Sequence, residues 1–254
     1  MLTAMERSEL RSEVLRVLRA EPQTHVNAIE NRLRGAREDF TRGDTLRLQE
    51  VVWELLLQGI VAPGKNSLNL HLPFLHVTEY GARCLEEETV LLHDPDGYLA
   101  QFEEGLDARV MSAVYEAIQS FLVGRPKATI AMLAAAAERL IDALVTALLA
   151  SASQGRERGI LQTRLTKAGR EVVRRAEIVA ERLHAGGCLA EDVLADIDVH
   201  MGDLIAILRL TRDEAGSPWV REVDHHRAHA ALLTFPAACR WCHRATAALR
   251  ARAK

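Results

Sequence analysis

The stretches LLLQGIVAPG (55–64) and LPFLHVTEYG (72–81) decide how the first third of this chain folds. Leu48, Val51, Val52, Leu55 and Leu56 recur at spacings of three and four, which reads as one stripe of a helix that Gly59 stops. Ile60, Val61 and Ala62 then make a short strand. Pro63-Gly64-Lys65-Asn66 is turn chemistry, and a second extended piece runs from about Leu70 to Thr78. Working outward, Asp44 or Thr45 caps the helix, and Gly35 and Gly43 bracket a polar connection before it. Residues 24–34 form a shorter helix with Val26, Ile29 and Leu33 apolar. Residues 6–20 form another, with Leu10, Val14, Val17 and Leu18 in register until Glu21-Pro22 ends it. The order is three helices and then a β-hairpin.

The texture changes at Glu86-Glu87-Glu88 and Asp94-Pro95-Asp96-Gly97, which mark a boundary. Beyond it every segment reads as long helix. The first spans about 104–122. The second starts at Pro126, a good first-turn residue, and carries Leu133, Ala137, Leu140, Leu144 and Leu148. The third, about 158–184, carries Leu161, Leu165, Ala168, Val172, Ala176, Val179 and Leu183, and Gly186-Gly187 ends it. The fourth, about 190–212, carries Ile197, Met201, Leu204, Ile205 and Leu208. A last region, about 222–251, contains Pro236, which either kinks it or starts a new helix. The expected fold is mainly α: a three-helix and hairpin domain at 1–85, a linker at 86–103 and an antiparallel helical bundle at 104–254.

Composition supports this. Of 254 residues, 48% are hydrophobic and 26% charged, which excludes wholesale disorder, and aromatics at 4% argue against an all-β fold. The net charge of −3 gives no global pull towards nucleic acid or membrane. The longest uncharged stretch of the Ala/Leu-rich region, Ala143 to Gly155, is shorter than the roughly 20 residues of a bilayer span. Glu6, Arg7 and Glu9 stand where a signal peptide needs an apolar core, so a cytoplasmic protein with no membrane contact is expected. Cys84, Cys188, Cys239 and Cys242 are too few for a disulfide framework in so long a chain.

Neither a phosphate-binding glycine loop nor a GxSxG elbow occurs. Cys239-Arg240-Trp241-Cys242-His243 fits the spacing of covalent haem attachment, but it lies in a helical stretch and without an export signal. His225, His226, His229 and His243 lack the second CxxC or paired HxxxH of a zinc site. No metal and no cofactor is expected.

The two opening stretches, with the helices before them, resemble a winged helix-turn-helix over residues 5–85. The resemblance implies a recognition helix from about 44 with Thr45, Arg47 and Gln49 as readers of base edges. Arg42 would contact phosphate at its start and Lys65 at the wing tip. Arg32, Arg34, Arg37, Arg42 and Arg47 cluster around that helix, yet residues 1–85 hold eleven basic and eleven acidic residues and are neutral overall. Winged helices also serve as protein-interaction modules, so DNA and protein partners both stay open.

In the bundle, Arg212 continues the stripe Met201, Leu204, Ile205, Leu208, and so aims at the bundle face. Arg212-Asp213-Glu214-Ala215-Gly216-Ser217, on a helical bundle spanning 104–250, is similar to the motif of the HEPN superfamily in which Arg is followed by a polar residue and then by His four to six positions from the Arg. That likeness implies dimerisation and, in many members, metal-independent RNA cleavage. The Arg would stabilise phosphate charge and the His would transfer the proton. Here Arg212 and Asp213 match and Ser217 stands at the His position, leaving no group that titrates near neutrality. Glu138 is placed to pair with Arg212. Taken as one helix, residues 156–182 carry eight basic and four acidic residues. They would set Arg164, Lys167, Arg170, Arg174 and Arg175 on one arc of about 140°, a phosphate-contacting face.

The leading expectation is a non-catalytic nucleic-acid-binding or regulatory protein, homodimeric through a HEPN-like bundle. A HEPN-type ribonuclease, a toxin or phage-defence effector, is the enzyme alternative, with Arg212, Asp213, Ser217 and Glu138 as its candidates. A protein-interaction scaffold is the third.

Overall fold

A computed structural model describes residues 7–37, 40–87, 95–102, 105–152, 156–185, 189–211 and 222–252. The fold is mainly α, with one small antiparallel sheet. It divides into two compact units, Met1–Ala100 with Leu122–Gly124, and Gln101–Phe121 with Arg125–Lys254.

The first unit follows the expected order. Helix α1 (Arg7–Ala20) buries Leu10, Val14, Leu15, Val17 and Leu18. Strand β1 (Gln23–His25) leads into α2 (Val26–Ala36), and α3 (Arg42–Leu57) follows. The hairpin is β2 (Val61–Pro63) and β3 (Phe74–Val77), and α4 (Glu79–Glu87) and the short α5 (Pro95–Leu99) complete the unit. β3 is central, pairing antiparallel with β1 (Thr24 opposite Leu75) and with β2 (Ala62 opposite His76). The sequence reading has no β1; residues 23–25 are extended because β3 supplies them a ladder. His25 then ends that strand and caps α2, its Nδ1 accepting from the Ala28 amide at 3.1 Å.

Local chemistry fixes both ends of α3. Thr41 and Asp44 form a reciprocal capping box, so the cap is Thr41, one turn earlier than the sequence suggests. At the other end Gly59 turns the chain at φ 71°, where Cβ-bearing residues are strained, and the Ile60 amide returns to the Leu55 carbonyl at 2.9 Å. Of the expected linker, Pro95–Leu99 is helical, and 88–94 and 103–104 lie outside the described residues.

The second unit is a helical bundle built of α6 (Ala108–Leu122, whose last residue falls in the first unit), α7 (Pro126–Ser151), α8 (Arg156–Ala168), α9 (Val172–His184), α10 (Glu191–Ala195), α11 (Ile197–Thr211) and α12 (His225–Arg252). α7 is its axis: it buries Ile130, Leu133, Ala134, Ala136, Ala137, Leu140, Ile141 and Leu144 among others, and packs against α12, α11, α9 and α8. Its alanines let neighbours approach on several sides at once. α12 runs unbroken through Pro236 and buries Phe235, Cys239, Trp241 and Cys242.

Two expected helices are each divided. Residues 158–184 break at Gly169, whose φ of 58° lies in the left-handed region; its amide closes back on the Leu165 and Thr166 carbonyls. Residues 190–212 break at Asp196, the C-cap of α10, whose carbonyl accepts from the His200 amide at the start of α11.

Candidate functional site

The expected contact surface of the first unit is built on α3. One side of α3 buries Asp44, Leu48, Val51, Val52 and Leu55 in a core shared with α1, α2 and β3. Capped and packed this way, the helix is a rigid platform whose opposite side faces water.

The arginines around that platform are occupied. Arg34 pairs with Glu30 at 2.7 Å and lies over the Phe40 ring at 4.9 Å. The Arg34 guanidinium, then the Thr45 hydroxyl, hold the Glu30 carboxyl below the usual carboxylate range. Thr45, one of the expected base readers, gives its hydroxyl to Glu30 at 2.8 Å and accepts from Arg34 at 3.0 Å. Arg47, the second reader, lies 3.1 Å from the buried Asp44 carboxylate. Arg32 pairs with Glu21 and Arg37 with Glu9. Arg42 and Gln49 are exposed, and Lys65, expected at a wing tip, lies in the loop between β2 and β3 with its backbone amide tied to the Asn69 carbonyl. Among the described residues Arg42 alone of the five clustered arginines has no acid within salt-bridge distance.

A feature that the sequence reading misses dominates this face. Leu46, Trp53 and Leu57 are 57%, 58% and 65% exposed, and in the loop between β2 and β3 Leu68, Leu70 and Leu72 are exposed as well. At about 100° per residue the three α3 side chains fall within an arc of roughly 40°, opposite the core stripe. Six of the eleven exposed large hydrophobics among the described residues are these six. The signal is present in the sequence as a second stripe with spacings of seven and four, hidden beneath the stronger core pattern.

In the second unit, the expected basic arc does not form as one helical face, because Gly169 divides the helix that would carry it. Arg164 pairs with Glu181, whose carboxyl it holds below the usual range. Arg174 pairs with Glu177 at 3.0 Å, and Arg175 lies 2.7 Å from Asp142. Lys167 and Arg170 are exposed, with no acid within salt-bridge distance among the described residues. Glu138 lies half-buried on α7. Arg212, Asp213 and Ser217, the expected catalytic candidates, lie outside the described residues.

Cys239 and Cys242 are buried inside α12; burial pushes the Cys239 thiol up to about 12 and Cys242 higher than its ordinary value. Both are inert core thiols rather than attachment points. Among the described residues no group of three His, Cys, Asp or Glu is placed to hold a metal ion, and no helix is long and apolar enough to cross a membrane.

No family model, curated protein or solved structure matches the chain.

Proposed function

We propose that the chain is a non-catalytic regulatory protein whose winged-helix unit acts by docking on a protein partner. One observation carries this reading. The two elements that a DNA-reading winged helix turns to the duplex, the recognition helix and the wing, here present Leu46, Trp53, Leu57, Leu68, Leu70 and Leu72. Binding to DNA is dominated by neutralising phosphates, and four of the five arginines near α3 are already neutralised by Glu9, Glu21, Glu30 and Asp44. Exposed apolar side chains on one side of a capped, packed helix, with three more in the loop between β2 and β3, suit a protein surface.

The non-catalytic part rests on sequence chemistry. Arg212 stays protonated at any working pH and Ser217 supplies no titrating group, so proton transfer to and from RNA lacks its carrier.

The homodimer expected through the bundle loses its motive: Ala134, Ala136, Ala137 and Ala147 of α7 are consumed inside their own unit.

The test pairs two measurements. Fluorescence anisotropy with random-sequence duplex DNA at low and moderate salt should show no binding whose logarithm falls steeply with log salt. A photo-crosslinking residue at Leu57 or Leu68 should capture protein, and one at Arg170 should not. Tight DNA binding with a slope of about −2 or steeper, lost in Arg42→Ala and Lys65→Ala, would return the unit to DNA reading.

A further inference from the structure

A cleft of about 830 Å³ opens between α11 and α12, within the second unit and apart from the α3 face. This is within the roughly 300–1,000 Å³ of small-molecule sites. Ala206, Ile207 and Leu210 of α11 line one wall, and Ala230 and Ala231 of α12 line the other. On both helices the lining follows i, i+3, i+4, i+7 spacing: Asp203, Ala206, Ile207, Leu210 against Arg227, Ala230, Ala231, Thr234. Small alanines on one wall leave the gap that larger side chains would close.

The lining carries two acids and two bases, Asp203 and Glu222 against Arg209 and Arg227, but they are not paired across the cleft. Arg209 is turned to Glu177, outside the lining, at 2.8 Å. Arg227 is held at the start of α12, where it donates to the Glu222 backbone carbonyl at 2.7 Å. Asp203 remains. It is half-buried, has no cation within salt-bridge distance among the described residues, and is raised above the ordinary carboxylate range by burial. His200 pulls the other way, but only when charged, and its own burial holds it below its ordinary range. A carboxylate half out of water without a counter-charge is stabilised by a ligand that brings one.

We propose that this cleft binds a small organic monocation, an amine or guanidine on an apolar body, with Asp203 as the carboxylate that receives the charge. The apolar body lies on Ala206, Ile207, Leu210, Ala230 and Ala231.

The experiment is a titration of the full ¹⁵N-labelled chain with phenethylamine, phenethyl alcohol and phenylacetate, three probes of one shape and different charge. Phenethylamine should give saturable shifts confined to residues 203–234, with a dissociation constant on the order of millimolar for so small a probe. The neutral probe should bind more weakly and the anion not at all. Asp203→Asn should weaken phenethylamine about 10- to 100-fold and leave phenethyl alcohol unchanged. Ala230→Phe, an exposed position whose new ring fills the cleft, should abolish binding of both without altering charge. Equal binding of the three probes, no saturable shift with the amine, or amine binding that survives either substitution would overturn the proposal.

Discussion

Two tryptophans divide the molecule. Trp241, on α12, is 0% exposed, and its indole N–H donates to the Val193 carbonyl at 2.9 Å. Trp53, on α3, stands 58% exposed beside Leu46 and Leu57. The units around them differ in the same way. Among the described residues, the bundle buries two polar side chains, Thr129 and Thr246, inside an otherwise apolar interior. The smaller unit buries Arg11, Thr24 and Asp44 and keeps apolar side chains outside. A bundle whose central α7 packs against four helices has apolar partners enough for its interior. A smaller unit of five helices and a sheet has less core to fill, fixes its helices with buried charge, and has a helix face to spare. Large apolar groups left in water do nothing for the stability of the unit that carries them, so their meaning is sought in binding.

The largest expected effect tests that division directly. Trp241→Ala removes the largest enclosed side chain and an indole hydrogen bond, and should lower unfolding free energy by about 3–5 kcal/mol in urea titrations. Trp53→Ala should change it by less than about 0.5 kcal/mol and act on association instead. If both tryptophans prove equally important to stability, α3 has a covered outer face and the comparison fails.

Arg11 sharpens the other half. Its guanidinium is enclosed under α3, 2.6 Å from Gln58 Oε1 and 3.4 Å from Glu54, which also holds Arg7. Arg11→Ala should cost roughly 1–3 kcal/mol, through lost packing of the stem as well as lost hydrogen bonds. Arg11→Met, which restores the stem, should recover part of it. A negligible cost for Arg11→Ala would mean that the smaller unit is held by its apolar core alone.

How far the sequence carries is uneven, for physical reasons. The hairpin order was legible because Gly59, Pro63 and Gly64 punctuate it and local turn chemistry decides the outcome. β1 was not, since Gln23-Thr24-His25 is extended only because β3 lies beside it. Within 158–184 the apolar spacing runs straight through Gly169, so periodicity argued for one helix while a single left-handed residue makes two. The division at Asp196 has even less signal, since no glycine or proline marks it. On α3 and around it, Thr45 and Arg47 are engaged by Glu30 and Asp44, whereas Arg42 and Gln49 are exposed. Arginine clusters announce themselves in a sequence, whereas Glu9 and Glu21, which pair with Arg37 and Arg32, lie on α1 and just after it and converge only on folding; Glu30, one turn before Arg34 on α2, is the local exception.

Gly169→Ala tests the break between α8 and α9. An alanine at φ 58° costs about 1 kcal/mol, because its Cβ crowds the neighbouring carbonyl in the left-handed region. The expected loss in urea titrations is of that size, smaller than for Arg11. A stabilised Gly169→Ala with increased helical circular dichroism would show that the continuous helix read from the sequence is the better structure, and with it the continuous basic face.

The smallest effect concerns His200, and its sign separates the units once more. His200 sits against the Trp241 ring, 6.0 Å between centroids, and its buried Nδ1 has no hydrogen-bond partner among the described residues. Burial, followed by Arg244 and Arg240, lowers its pKa from 6.5 against the opposing pull of Asp196 and Asp203. On acidification the unfolded chain therefore protonates His200 first, near its ordinary value of about 6.5, and the folded chain follows only at lower pH. In that window the unfolded state binds more protons, so stability is lost as pH falls. His200→Gln lacks this titration, and the stability of the variant minus that of the natural chain should rise between pH 7.5 and pH 5. The difference is the proper measure, since Asp203, raised by burial, contributes with the opposite sign: its share is present at low pH and lost as pH rises through its folded value. A difference that stays flat would mean that water reaches His200 and that this part of the bundle is as open as the α3 face; one that falls on acidification would mean that Asp196 and Asp203 outweigh burial.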